Sequence, residues 1–455
     1  MKKCVLIALA VMLACILFLC ACRQEPGPSN DKIMFFSEIN VLLKSGKKEI
    51  LNWYESDFFR KDARVFDKDL ALLSYALAAS TSSDNAVKTL EMMMFDGLVQ
   101  HWNDDDHING CSYVIGRRKV DGHNLVAVYI KGIGYSVEWA GNMMMGASGN
   151  HYGFEAASSE VYDTLKGYIA ENDLEKDLKL WITGYSRGAA ITDALAYDII
   201  TQEEIKIGQK DLFVYAFEPP ASIASDAIEA YKCIHNFFVE ADLVASIPPA
   251  IPSADYGLSR PGVDTKMTFT VDSINDSLHK YVGPDVSMPE FTSADDYADP
   301  AEFLTYFIKG ATSATEAESA ASLESRDKFY STIQDRLTYL VTVLMKGNRA
   351  GLNALMQYIS DHKDQMVTIV SKWLTQTDGF YDDLGPILDS CGTEYVDEDL
   401  RTACSLLTSL YLNKDLEEFL VELMIDSTMV TNAEYLICCH YPEVGYALLK
   451  GYPKN

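Results

Sequence analysis

The chain has 455 residues, of which 48% are hydrophobic and 11% aromatic, so it is long enough to bury a large core. Its formal net charge at pH 7 is −28, with 66 acidic and 38 basic side chains. A protein this acidic is repelled by nucleic-acid phosphates and by anionic membrane surfaces, which argues against a role in binding DNA or RNA.

The amino terminus has the layout of an export signal, with two lysines, an apolar run and then small residues. The segment Leu19-Cys20-Ala21-Cys22 resembles the lipobox of bacterial lipoproteins, and a polar tether, "RQEPGPSND", comes next. This resemblance implies a signal peptide over residues 1–21, a tether over residues 22–32, and a lipid on Cys22 that anchors the protein to the cell membrane, facing outside the cytoplasm. Because the apolar run is near the length of a membrane span, an uncleaved signal anchor is the alternative.

Residues 33–265 are predicted to form the core, which begins with helices and continues into a sheet. Residues 35–100 are predicted to be helical, because "DKDLALLSYALAAS" presents a broad apolar face at helical spacing. The short β-branched segments "CSYVIGRR" and "HNLVAVYIKG" flank a turn-forming Asp-Gly pair, which predicts a hairpin. A helix over "HYGFEAASSEVYDTLKGYIAEN" is expected to end near Asn172.

Strands and helices then alternate along the chain. The apolar segments "LKLWIT", "DLFVYAF" and "CIHNFFVE" are predicted strands, and "SRGAAITDALAYDII" and "SDAIEAYK" are predicted helices between them. Short apolar strands that alternate with helices form a mostly parallel sheet with helices on both faces. The predicted fold class is therefore α/β, with the leading hairpin as an antiparallel edge.

The strand signal nearly disappears after about residue 265. Residues 266–432 contain helix-period segments bounded by Gly, Asn and Asp, such as "SRDKFYSTIQDRLTYLVTVLMKG", and are predicted to be a helical insertion or cap. Residues 433–455 are predicted to return to the core, with Pro442 as the first residue of a terminal helix.

A G-x-S-x-G pattern, Gly184-Tyr185-Ser186-Arg187-Gly188, lies between a predicted buried strand and a predicted helix. A nucleophile elbow needs this context, because its turn is too tight for bulky residues two positions before and after the serine. The turn lifts the hydroxyl clear of the sheet and directs the first N–H groups of the helix toward developing negative charge. The alternative is a serine that only caps the helix.

A serine hydroxyl becomes an effective nucleophile when a histidine takes its proton and a carboxylate orients that histidine. Asp242 follows the predicted strand "CIHNFFVE", so it lies at the carboxyl end of a sheet strand, where sites form in open α/β folds. It is the predicted acid. Glu218, at the end of the preceding strand, and Glu240 are the alternatives.

Four of the eight histidines follow Ser186. His440 is the predicted base, because it lies after the insertion, at a break before a helix that begins with proline. His279 is the alternative base, whereas His235 lies inside a strand and His362 on a charged helix surface. Although two cysteines precede His440, no second cluster accompanies them, so neither a metal nor another cofactor is predicted.

Over roughly residues 110–265 the chain resembles the α/β-hydrolase superfamily, and within it the class 3 lipase-like group. Five segments of this chain resemble patterns of the family and follow them in the same order; the family's pattern is given in parentheses after each segment. The segments are "VAVYIKGIGYSVEWAGN" (a strand and a loop that begin with R-G-T), "HYGFEAA" (H-x-G-F), "ITGYSRGAA" (T-G-H-S-L-G-G-A), "FVYAFEPPAS" (F-G-x-P) and "FFVEADLVASIPP" (N-x-x-D-x-V-x-x-x-P).

The predicted oxyanion hole uses the backbone N–H of Arg187, the residue after the nucleophile, and that of Ile133 in the loop at Gly132. Ile133 stands where the resembled family usually has Thr or Ser, so this hole would rely on backbone donors. Tyr185 and Arg187 replace the family's His and Leu beside the nucleophile. The Arg187 side chain is expected to pair with a carboxylate or to meet an anionic substrate group.

The resemblance implies a serine hydrolase that cleaves carboxylic esters through an acyl-enzyme, with an acyl ester as substrate and no cofactor. Two hypotheses of other classes stay open. One is a surface binding or scaffold protein that keeps the hydrolase fold without turnover, and the other is a serine peptidase or acyltransferase on the same fold.

Overall fold

The computed structural model describes residues 32–103, 109–133, 138–142, 149–224, 231–246, 257–289, 378–410 and 435–453, with scattered residues between 351 and 373. The predicted signal peptide, Cys22 and the helix predicted over "SDAIEAYK" lie wholly or mostly outside these residues. Within the described part, no helix combines the length and the apolar character that crossing a bilayer requires.

The described chain contains nine strands: β1 Ile33–Val41, β2 Gly46–Tyr54, β3 Asp96–His101, β4 Tyr113–Val120, β5 His123–Ile130, β6 Leu178–Tyr185, β7 Leu212–Phe217, β8 Ile234–Val239 and β9 Val263–Met267. Its helices are α1 Lys68–Ala78, α2 Ser83–Met92, α3 Glu138–Gly141, α4 Tyr152–Glu171, α5 Arg187–Gln202, α6 Val271–Tyr281, α7 Gly379–Ser390, α8 Asp397–Leu410 and α9 Pro442–Gly451.

Strands β3 to β9 form one seven-stranded sheet in sequence order. The pairs β3–β4 and β4–β5 are antiparallel, and every pair from β5 to β9 is parallel. Asp121 and Gly122 close the β4–β5 hairpin with φ angles of 48° and 85°, which suits a two-residue turn that needs positive φ at both positions. The predicted mostly parallel sheet with an antiparallel edge is confirmed.

Helices cover both faces of this sheet. Successive side chains of a strand point to opposite faces, and every residue of β6 is buried. The indole of Trp181 donates to the Ser74 hydroxyl on α1 (2.9 Å), and the Thr183 hydroxyl is bonded to the Ser74 carbonyl on that side. Gly184, on the opposite face, lies against Gly188 and Thr192 of α5. The sheet is therefore buried between α1 and α5.

The prediction of helices over residues 35–100 is wrong at both ends of that range. Strands β1 and β2 pair as an antiparallel hairpin, and β3 joins the sheet. In β1 the residues from Phe35 to Val41 alternate between buried and less buried positions, as a strand should. That alternation is concealed in the sequence because the exposed face also carries apolar residues, Met34 and Phe36.

The predicted boundary of the core at residue 265 is also corrected. Strand β9 runs to Met267, and α6 buries Ile274 and Leu278 in the same core as the sheet. The core continues at least to Met288. The sequence concealed this because α6 carries few apolar residues, and these lie on one narrow face.

The described part of the predicted insertion that follows is helical. Helices α7 and α8 bury a small apolar cluster of their own that includes Leu384, Leu388 and Leu400. Most of the remaining residues in this region lie outside those that the structure describes.

The terminal helix α9 begins at Pro442, as predicted, and joins the two ends of the described chain. The Glu443 carboxylate accepts a hydrogen bond from the backbone N–H of Leu43, in the turn after β1 (2.7 Å). The Tyr75 hydroxyl of α1 donates to the carbonyl of Pro442 (2.8 Å). Burial raises the pKa of Glu443 to about 7, so this contact is sensitive to pH near neutrality.

Glu443→Gln is expected to flatten the dependence of stability on pH. Because the pKa of Glu443 is raised in the folded state, its contribution is full below its unfolded pKa and is lost as pH rises toward about 7. Between about pH 5 and about pH 7.5 the wild type should lose about 2 kcal/mol of unfolding free energy relative to Glu443→Gln. Urea unfolding at both pH values measures this difference, and parallel stability curves for the two proteins would contradict it.

Candidate active site

Ser186 occupies the corner between β6 and α5. Its φ of 54° and ψ of −125° lie outside the regions that residues with a side chain ordinarily adopt. The N–H of Ser186 donates to the carbonyl of Phe217 on the neighbouring strand (2.8 Å), which holds the strained residue in register with the sheet. This is the backbone geometry of the strained strand-to-helix turn that the sequence pattern predicts.

Three glycines allow the backbones around Ser186 to touch. A Cβ atom on Gly184 would lie 2.3 Å from the carbonyl oxygen of Gly188, and one on Gly188 would lie 2.5 Å from that of Ile130. A Cβ on Gly132 would lie 1.5 Å from the carbonyl oxygen of Tyr185. The loop after β5 therefore rests directly against the serine corner.

A chain of hydrogen bonds connects Ser186, His440 and Asp242. The Ser186 Oγ lies 2.8 Å from His440 Nε2, and His440 Nδ1 lies 2.7 Å from Asp242 Oδ2. Asp242 is fully buried, and its other oxygen accepts the N–H of Val244 (2.7 Å). A carboxylate at Nδ1 favours the tautomer with its proton there, which leaves Nε2 to accept the serine proton.

His440 is held in place through its backbone as well as its ring. The Tyr185 hydroxyl donates to the His440 carbonyl, and the two rings are in contact, with centroids 5.5 Å apart. Tyr75 fixes the next turn of chain through Pro442. Sequence reasoning noted Tyr185 only as a departure from the resembled family, because nothing in the local pattern indicates a partner 255 residues away.

The other candidate bases have different surroundings. His279 is exposed on α6, with its Nε2 2.9 Å from the Ser287 hydroxyl. The buried ring of His235 is hydrogen-bonded to the carbonyl of Ala63 (2.9 Å). The partly buried ring of His362 is hydrogen-bonded to the carbonyl of Tyr358 (2.8 Å). Of the four histidines after Ser186, the structure brings His440 to the serine.

Glu218, the alternative acid, is fully buried at the end of β7 and lies beside the site. Its Oε2 accepts the N–H of Val239 (2.9 Å). Burial and the neighbouring carboxylate of Asp242 raise the pKa of Glu218 well above its ordinary value. Glu240, the other alternative, is exposed in the turn after β8.

Among the described residues, Glu218, Asp242 and His440 are the group whose ligand atoms are close enough to hold a metal ion, within 4.8 Å of one another. The direct bond between Asp242 and His440 and the raised pKa of Glu218 account for that closeness as a hydrogen-bonded network.

The Arg187 guanidinium is buried and supports the loops beside the corner. It donates to the Asn142 side chain and to the carbonyl of Gly110, both at 2.9 Å. His151 binds the carbonyl of the same Asn142 through Nε2 (3.2 Å), and burial lowers the pKa of this imidazole to about 4, so it is neutral. The contacts of the Arg187 guanidinium with Asn142 and Gly110 favour a structural role for this side chain over contact with a substrate anion.

The chain is similar to known lipases. Residues 129–251 match the family described as lipase (class 3). Similar solved structures include the Rhizomucor miehei lipase propeptide complex, at 17% identity over 45% of this chain and 70% of that one, with a TM-score of 0.35. Lipase from Rhizopus microsporus var. chinensis is 17% identical over 43% of this chain and 72% of that one, with a TM-score of 0.31. Lipase II from Rhizopus niveus is 14% identical over 46% of this chain and 80% of that one, with a TM-score of 0.32. No curated protein matches the chain in sequence.

The predicted resemblance to the class 3 lipase-like group is confirmed over residues 129–251. The matched segment contains Ser186 and Asp242, and it ends long before His440. Similarity to class 3 lipases is therefore shown for residues 129–251.

Gly188→Ala is expected to destabilise the fold by about 1–3 kcal/mol, because the new methyl group meets the backbone of residues 130–132. Gly167→Ala is the matched control, since a Cβ at this position in α4 meets nothing within 4 Å. The control should gain about 0.5–1 kcal/mol through helix propensity. Urea unfolding of both variants measures the contrast, and a Gly188→Ala protein as stable as the wild type would contradict it.

Proposed function

We propose that the protein is a serine hydrolase that cleaves carboxylic esters through a covalent acyl-enzyme. Ser186 is the nucleophile, His440 the general base and acid, and Asp242 the carboxylate that orients the imidazole. The observation that supports this most directly is the pair of short contacts from Ser186 Oγ to His440 and from His440 to buried Asp242.

The reaction proceeds in two displacements. The Ser186 oxygen attacks the ester carbonyl carbon as His440 Nε2 takes the hydroxyl proton, and a tetrahedral oxyanion forms. Its collapse breaks the bond to the alcohol, which receives the proton from His440 and leaves an acyl group on Ser186. A water molecule then attacks the acyl carbon as His440 takes one of its protons. The second tetrahedral intermediate collapses with cleavage of the acyl–Oγ bond, His440 returns the proton to the Ser186 oxygen, and the carboxylic acid departs.

The oxyanion is proposed to bind the backbone N–H groups of Arg187 and Ile133. Arg187 is the first residue of α5, so its N–H belongs to the helix end that favours negative charge. Ile133 follows Gly132, whose backbone rests against the carbonyl of Tyr185. Both residues therefore adjoin Ser186, as a hole for the carbonyl oxygen requires.

The substrate class proposed is an acyl ester, such as an acyl-glycerol, and the mechanism requires no cofactor. Support comes from the match to the class 3 lipase family over residues 129–251. A peptide amide is the alternative, since the same constellation of side chains cleaves amides on other folds.

Ser186→Ala and His440→Ala are each expected to lower kcat/KM for p-nitrophenyl esters by at least about a thousandfold. Ser186→Ala should also abolish labelling by a fluorophosphonate probe. His279→Ala, the matched histidine control, should keep both ester hydrolysis and probe labelling. Loss of activity in His279→Ala with retention in His440→Ala would overturn the assignment of the base. Folded wild type that neither reacts with the probe nor cleaves esters or peptide amides would favour the scaffold hypothesis.

We further propose that the protein is exported and anchored to the cell membrane through a lipid on Cys22. The sequence supports this with its charged, apolar and small-residue regions followed by a polar tether. In a bacterial host, Cys22→Ala should abolish incorporation of a palmitate analogue. Cys111→Ala is the cysteine control and should remain labelled, and equal labelling of both variants would contradict the anchor.

A further inference from the structure

Glu218 adopts a backbone conformation that its residue type disfavours. Its φ is 54°, in the left-handed region, which costs a residue with a side chain roughly 1–2 kcal/mol. In the F-G-x-P pattern that "FEPP" resembles, a glycine stands at this position and avoids that cost. Glu218 is also fully buried, so both its backbone and its carboxyl group are held in unfavourable states. Such a combination beside a hydrogen-bonded site points to a function.

The carboxyl groups of Glu218 and Asp242 are close together in an environment without solvent. Their ligand atoms lie within 4.8 Å, and each carboxyl group is 0% exposed. Two such groups cannot both be ionised, because like charges repel strongly in a buried site. One of them must keep a proton.

The donors around the pair indicate which group is protonated. Asp242 accepts from His440 Nδ1 and from the N–H of Val244, which stabilise its negative charge. Glu218 accepts from Val239 at Oε2, whereas no described donor reaches Oε1. The proton therefore belongs on Glu218, and the carboxylate of Asp242, whose ligand atom lies within 4.8 Å of that of Glu218, is the neighbouring acceptor.

The titratable and charged groups that surround the pair are compatible with this state; they are Tyr75 on α1, Tyr185 on β6, Arg260 before β9, Cys439 and His440 before α9, and Glu443 on α9. Burial raises the pKa of Tyr75, Tyr185 and Cys439, so these groups are neutral. Arg260 donates to the Asp264 carboxylate (3.2 Å) and to the Ala245 carbonyl (2.6 Å).

We propose that Glu218 is a positioning residue, a neutral carboxylic acid that donates a hydrogen bond to Asp242 and fixes that carboxylate toward His440. The catalytic consequence rests on the proposed function, whereas the protonation state does not. In this arrangement Glu218 exchanges no proton during the reaction. It holds Asp242 at the angle that keeps the imidazole aligned with Ser186.

Glu218→Gln and Glu218→Gly test the role in catalysis. The glutamine amide can donate to Asp242 as the acid does, so kcat should stay within about threefold of wild type. Glycine relieves the backbone strain but removes the donor, so kcat should fall by about 10- to 100-fold while KM stays unchanged. Glu203→Gly is the matched control, because Glu203 has the same φ of 54° at the exposed end of α5, and its kcat should equal that of wild type.

The pH profile distinguishes a neutral Glu218 from an ionised one. If Glu218 is neutral, Glu218→Gln leaves the acid limb of the kcat/KM profile in place. A shift of that limb to lower pH would overturn the proposal, because it would mean that a negative charge near His440 had been removed. Unchanged kcat in Glu218→Gly, with Ser186→Ala inactive, would overturn the positioning role but leave the proposed hydrolase intact.

An infrared difference spectrum between wild type and Glu218→Gln tests the protonation state without any substrate. At neutral pH the wild type should show a carboxylic acid band that Glu218→Gln lacks, and the same band should persist in Ser186→Ala. A carboxylate band in its place would overturn the proposal. This result is independent of whether the protein hydrolyses esters, so it separates failure of this inference from failure of the proposed function.

Discussion

The backbone corner at Ser186 is the constraint on which the rest of the site depends. A residue in this conformation costs of order 1–3 kcal/mol, and the surrounding structure must hold it there. Backbone contacts hold Ser186 in this conformation. They join the loop after β5, the end of β6 and the start of α5, and glycines occupy the positions where these backbones meet. The hydroxyl is therefore positioned by the sheet rather than by a mobile loop, which is what a preorganised nucleophile requires.

The imidazole that contacts Ser186 belongs to His440, in a distant part of the chain. His440 lies 254 residues after Ser186, in the turn before α9. The hydroxyls of Tyr75 and Tyr185 hold that turn by hydrogen bonds to its backbone carbonyls. Helix α9 is in turn bound to the N-terminal hairpin through Glu443. The N-terminal hairpin therefore supports the helix that follows His440, so changes far from Ser186 in sequence should affect its alignment with His440.

The sequence predicted what local patterns determine. The elbow follows from the spacing of Gly184, Ser186 and Gly188, and the parallel sheet from apolar strands that alternate with helices. The catalytic residues assigned from sequence stay predictions as to role, although the structure brings Ser186, His440 and Asp242 into contact. Strand β1 was missed because its exposed face is apolar as well. Glu218 and Tyr185 were undervalued because their partners are set by tertiary packing, which no local pattern encodes.

In the proposed mechanism Ser186 becomes acylated during turnover. Rapid mixing with a p-nitrophenyl ester, followed by acid quench and peptide mass mapping, tests it most directly. If Ser186 is the nucleophile, a burst of p-nitrophenol no larger than the amount of protein should appear, with the acyl mass on the peptide that carries Ser186. Ester turnover with the acyl group on another residue, or turnover that persists in Ser186→Ala, would contradict it.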